Sequence, residues 1–106
     1  MQKRTKALAI AKEVKQAVAE RDSFNGWPCC IICGSPEGLP EAHYIPRSQG
    51  GLGIEENIVT LCRPCHGDFD QSDKRADIKA QLRQYLQEIY PEWDESKLYY
   101  RKDHIS

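Results

Sequence analysis

Two C-x2-C pairs frame the middle of this 106-residue chain, Cys30/Cys33 and Cys62/Cys65, and the second runs directly into His66. Four thiolates in two short knuckles make a tetrahedral sulfur site, the set that a structural zinc ion takes. Three side chains of the same stretch are not needed by such an ion: His43, Asn57 and His66, in that order. Two imidazoles and a neutral amide are groups suited to phosphodiester chemistry, because an imidazole near neutral pH can accept a proton or ligate a metal. The fifth cysteine, Cys29, leaves an odd total, which argues against a disulfide framework and reads as a spare buried thiol.

The elements that must position these groups are legible from periodicity. Ala7, Ile10, Ala11, Val14, Ala17 and Val18 recur at steps of three and four, predicting one basic amphipathic helix over residues 1–22. Asp22, Ser23, Asn25, Gly26 and Pro28 end it, and Phe24 and Trp27 are expected to pack beneath the first knuckle. Glu41 to Ile45 reads as a short strand, with Glu41, His43 and Ile45 on one face and Ala42 and Tyr44 on the other. A glycine-rich loop, Arg47 to Gly53, is suited to close backbone approach to a ligand. Ile58 to Leu61 is the returning strand and delivers the chain to the second knuckle.

Pro64 suits the first turn of a helix over 64–70, which would set His66 and Asp70 four residues apart on one face. Ser72 and Asp73 read as N-caps of a packing helix whose Ile78, Leu82, Tyr85, Leu86 and Ile89 run to Pro91. The tail from Glu92 carries Trp93, Tyr99 and Tyr100 among charges and suggests no chemistry.

Length predicts a single domain, 1–106, small enough that its middle gains from a metal staple. Net charge is only −1, but residues 1–21 hold six cations against two acids, +4, which leaves −5 for the rest. A basic arm beside an acidic body permits local phosphate contact without a globally basic protein; a solvated helix face reads equally well. No apolar run approaches a membrane span, so the expectation is a cytoplasmic protein with no membrane partner.

At this point the residues carry a resemblance. From E-A-H-Y-I-P-R-S-Q-G-G through E-E-N-I-V-T-L-C-R-P-C-H the chain resembles the HNH endonuclease family over roughly residues 27–72. Five elements agree in order: C-x2-C-G, H-x2-P-R-S with a double glycine, N-I-V-x-L, C-x2-C, and a histidine directly after. The resemblance implies an α+β fold with a small ββα-metal core, stapled by zinc on Cys30, Cys33, Cys62 and Cys65. Flanking helices lie N- and C-terminal to it, the latter with its tail over 73–106. It also implies a metal-dependent endonuclease whose partner is DNA and whose products are 3′-hydroxyl and 5′-phosphate ends. A phage packaging protein or another DNA-processing protein is a further expected partner.

Carried over by position, the resemblance makes His43 the general base that takes a proton from water. It makes Asn57 the residue that ties the inter-strand loop through its side-chain amide; eight residues separate Asn57 from His66, as in the family motif. His66 becomes a ligand of a catalytic Mg²⁺ or Mn²⁺. The chain departs from the pattern at Ala42, where many members place Asp or His as a second ligand. Asp70 and Glu41 are the carboxylates that could compensate, Asp70 the better of the two. Arg47 is a candidate phosphate clamp, since its planar fork pairs with two oxygens, although a solvated arginine fits as well. The other class of function open to the same residues is a catalytically inactive zinc module that binds DNA or a partner protein.

Overall fold

A computed structural model describes residues 3–100. Its described residues form an α+β arrangement of helices with two antiparallel sheets of two strands each. The central hairpin pairs β3, Leu39–His43, with β4, Ile58–Leu61, in the register Leu39↔Leu61, Ala42↔Val59 and His43↔Ile58, with a bulge between Leu39 and Ala42. All four residues of β4 are buried, as its unbroken apolar and β-branched run requires. β3 ends two residues earlier than its sequence suggests. Tyr44 still donates to the Asn57 carbonyl, but the Ile45 amide donates to Asn57 Oδ1 at 2.7 Å, so a side chain takes over where the ladder would continue.

Helix α3, Arg63–Gln71, starts on Cys62 with Pro64 in its first turn. That placement is favourable because an amide at that point has no intrahelical acceptor. Helix α4, Arg75–Ile89, buries Ile78, Leu82 and Leu86, one stripe at helical spacing, against a core that also holds Ala42, Tyr44 and Phe69. Its N-cap is Lys74 rather than Ser72 or Asp73. The Ser72 hydroxyl accepts from the Lys74 amide in the preceding turn.

The helix expected over 1–22 is two helices, α1 at Lys3–Leu8 and α2 at Lys12–Arg21. In one continuous helix the Ala7 and Leu8 carbonyls would accept from the amides of residues 11 and 12. Here Ala7 accepts from the Gly53 amide at 3.0 Å, and the Leu8 carbonyl lies 3.0 Å from His43 Nε2. Ala11 is accordingly extended, with ψ 154°. Gly53 is required at this crossing, since a Cβ there would lie 2.1 Å from the Ala9 carbonyl oxygen. Gly51 is equally constrained by the Ile45 carbonyl, 1.7 Å from where its Cβ would stand. The glycines expected to approach a ligand therefore approach the protein's own backbone.

Phe24 and Trp27 do not pack beneath the first knuckle. They face each other across a small hairpin, β1 at Ser23–Phe24 and β2 at Trp27–Pro28, and are 71% and 61% exposed. Cys29 is half-exposed rather than buried, its thiol 3.3 Å from the Trp27 carbonyl. The tail after α4 docks by backbone: Leu52 donates to Leu98, Tyr100 donates to Gly50, and Gly51 bridges Tyr99. Trp93 donates to the Glu56 carbonyl and meets Tyr44 edge-on. Residues 101–106 and the first two residues of the expected helix lie outside the described residues.

A buried ionic clasp that the sequence did not announce joins α2 to β4 and α4. Arg21 donates to both Asp22 oxygens, to the Ile58 and Glu55 carbonyls and to the Tyr90 hydroxyl. Asp22 in turn accepts from the Thr60 amide and the Tyr85 hydroxyl. Burial opposes the Arg21 charge, yet the hydrogen bond and charge of Asp22 outweigh it and hold the guanidinium protonated.

Candidate active site and metal centre

Two knuckles bring the Cys30, Cys33, Cys62 and Cys65 sulfurs to within 4.8 Å of one another, and Cys33 Sγ lies 3.5 Å from Cys62 Sγ. One knuckle precedes β3 and the other joins β4 to α3, so the hairpin itself closes the quartet. Burial opposes charge on Cys30, but amides of Cys33, Cys62 and Ile32 bring its pKa down to about 7. Burial pushes the Cys65 and Cys62 thiols up, and for Cys65 the neighbouring sulfurs push the same way. One thiolate is stabilised by backbone N–H groups and a second beside it is penalised, which is the electrostatic situation that a divalent cation relieves. The donor set and its spacing fit zinc.

A separate cleft of about 390 Å³ is lined by none of these cysteines. His43 and Glu41 reach it from β3, Arg47 from the turn that follows, His66 and Asp70 from α3, and Lys15 from α2. His66 Nε2 is 3.7 Å from Asp70 Oδ2, the i,i+4 spacing on one helix face. Lys15 Nζ is 3.5 Å from Glu41 Oε1, a half-exposed pair at the rim. The expected residues His43, His66, Asp70 and Arg47 thus share one cleft. Asn57 does not line it. Fully buried behind the hairpin, Asn57 accepts from the Ile45 amide and donates to the Ile45 and Leu52 carbonyls, pinning both ends of the loop that carries Arg47. Ala42 is also fully buried; it pairs with Val59 inside the core.

The Leu8 carbonyl can only accept, so its 3.0 Å contact fixes a proton on His43 Nε2 and leaves Nδ1 as the lone-pair nitrogen of the neutral ring. Burial pushes the His43 pKa below its ordinary value; the Leu8 carbonyl opposes this, and the Arg47 and His66 charges add to it. The ring is therefore held neutral and able to take a proton to lower pH than a free histidine.

Sequence reasoning missed three contributors: the Leu8 carbonyl, the cleft wall of Ala9 and Ile10, and Lys15. The first two follow from the helix break, which no local signal marks. Lys15 was visible only as part of a basic stretch.

Residues 30–83 match the family model described as HNH endonuclease. That is half of the chain, and the chain belongs to the HNH endonuclease family. Among curated proteins it is similar to Anaredoxin of Nostoc sp. (strain PCC 7120 / SAG 25.82 / UTEX 2576), with 32% identity over 50 residues, 46% of this chain and 66% of that protein. The match thus spans just under two thirds of that relative's length. Among the described residues, no helix is long and apolar enough to cross a membrane.

Proposed function

We propose that the chain acts as one nuclease domain that hydrolyses DNA, with His43 as general base, leaving 3′-hydroxyl and 5′-phosphate ends. The observation that carries this reading is the meeting of His43, His66 and Asp70 in a single cleft of a chain that belongs to the HNH endonuclease family. His43 Nδ1 takes a proton from the attacking water while Nε2 stays bonded to the Leu8 carbonyl. The new P–O bond forms as the bond to the 3′ oxygen breaks, and that oxygen is protonated from solvent. Arg47 pairs with non-bridging phosphate oxygens. His66 and Asp70 would hold a Mg²⁺ or Mn²⁺ ion, and Asp70 is preferred to Glu41 because it stands beside His66 whereas Glu41 is paired with Lys15. That ion, when bound, supplies positive charge against the phosphate and the departing oxygen. Binding chiefly through phosphates implies little base specificity.

The test is nicking of supercoiled plasmid with Mg²⁺ or Mn²⁺, comparing the parent with His43→Ala. Loss of about 10²–10⁴-fold in rate is expected, with an acid limb below the ordinary histidine value of about 6.5. Equal nicking by both proteins would sink the reading. The buried Ala42 favours a second one, an inactive zinc-stabilised DNA- or protein-binding module. Absence of nicking by the parent with either ion would select it.

A further inference from the structure

We propose that Trp27 is a stacking platform for an unpaired base of the DNA strand that is cut in the His43 cleft, an inference that rests on the nuclease reading. The indole is 61% exposed, and Phe24, its partner across the hairpin, is 71% exposed. The two-residue turn between them is left-handed at both positions, Asn25 with φ 55° and Gly26 with φ 78°, the geometry of a tight hairpin tip. Two large aromatics directly opposed on a solvent-facing ribbon do not stabilise this core.

The indole is held in place as well as exposed. Its one polar atom, Nε1, donates to the Pro36 carbonyl at 2.6 Å, which ties the ring to the loop that follows the first knuckle. A ring fixed in advance loses little freedom when a base stacks on it, and stacking tolerates any base because each has a π-face.

Position makes a nucleic-acid strand the occupant. Trp27 opens on a groove that runs over three of the knuckle cysteines, Cys33, Cys62 and Cys65, and is lined also by Leu39 and Arg63. Leu39 begins the strand that carries Glu41 and His43 into the cleft, and Arg63 begins the helix that carries His66 and Asp70. Groove and cleft therefore draw on the same two elements, β3 and α3, a short distance apart along each. From Leu39 to His43 is about 13 Å at strand rise, and from Arg63 to Asp70 about 10 Å at helix rise. Stacked, at about 3.4 Å per nucleotide, a strand spans either distance in three or four nucleotides, and extended in fewer. Arg63 is exposed and supplies a cation between platform and cleft. Glu37, the acid of the groove, requires phosphates to pass on the Arg63 side. The substrate class that follows is DNA with unpaired nucleotides a few positions from the cut, such as a flap, junction or frayed end.

The experiment uses the full chain carrying His43→Ala, without divalent ion, so that binding is read apart from cleavage. Oligothymidylate should quench tryptophan fluorescence. Trp27→Leu should abolish that quench, weaken single-strand affinity about tenfold, and leave affinity for a blunt duplex within about twofold. Trp27→Phe should lose the quench and keep the affinity, a result that needs only one well-folded variant. A quench that survives in Trp27→Leu, arising from Trp93 alone, would overturn the proposal. Equal weakening on duplex and single strand would do the same, and so would unchanged single-strand affinity. Failure of the nuclease reading is separately visible, as a parent protein that quenches on oligothymidylate yet never nicks plasmid.

Discussion

The two ends of the central hairpin are built on opposite principles. At one end four cysteines, two at each knuckle, converge within 4.8 Å, and each knuckle is a local unit of four residues. At the other end the cleft takes its walls from α1–α2, β3, the turn after it, and α3, none of which makes a site alone. The first end is a four-sulfur site fit for zinc, made of two local knuckles that the hairpin between them brings together. The second is a tertiary product, in which even the proton position on His43 depends on a carbonyl 35 residues away. Stability should therefore be concentrated at the sulfur end, and chemistry at the histidine end.

Removing the metal is the largest way to break that contrast. Structural zinc contributes about 10–16 kcal/mol in small modules, comparable to the ~5–15 kcal/mol net stability of a domain. Chelation under reducing conditions, or Cys62→Ser, should abolish the cooperative melting transition followed by circular dichroism. A chelated protein that melts as before would remove the staple from the account.

Asn57→Ala should be intermediate. It leaves the Ile45 amide and the Ile45 and Leu52 carbonyls without their buried partner. A loss of about 3 kcal/mol is expected, lowering Tm by roughly 10–20 °C, with zinc content unchanged. If nicking fell while Tm stayed constant, Asn57 would belong to the chemistry rather than to the loop.

Lys15→Ala should have the smallest effect and sharpens the comparison most. Its pair with Glu41 is half-exposed, so stability should hardly change. The slope of log affinity for DNA against log salt should become shallower by about one. An unchanged slope would place α2 outside the DNA-binding surface.

Much of this was legible beforehand, for identifiable reasons. The returning strand Ile58–Leu61 was found residue for residue because a β-branched apolar run bounded by turn residues has few alternatives. The His66–Asp70 pairing followed from helical spacing alone. The N-terminal helix was misjudged because its apolar period continues through Ala11, while the break is imposed by Gly53 and His43 reaching in from elsewhere. Phe24 and Trp27, expected beneath the first knuckle, stand exposed because a hairpin tip carries them to the surface.

By itself the sequence determined the two cysteine knuckles, the order histidine–asparagine–histidine, and the helix that sets His66 beside Asp70. These depend on spacing within a few residues, and a helix turn or a knuckle translates such spacing directly into distance. Only the tertiary structure decided that α1 and α2 separate, that Leu8 fixes the His43 tautomer, that Lys15 and Glu41 share the rim, and that Trp27 faces solvent. Those outcomes turn on which distant groups compete for one carbonyl or one patch of core, and no local pattern records the result of that competition.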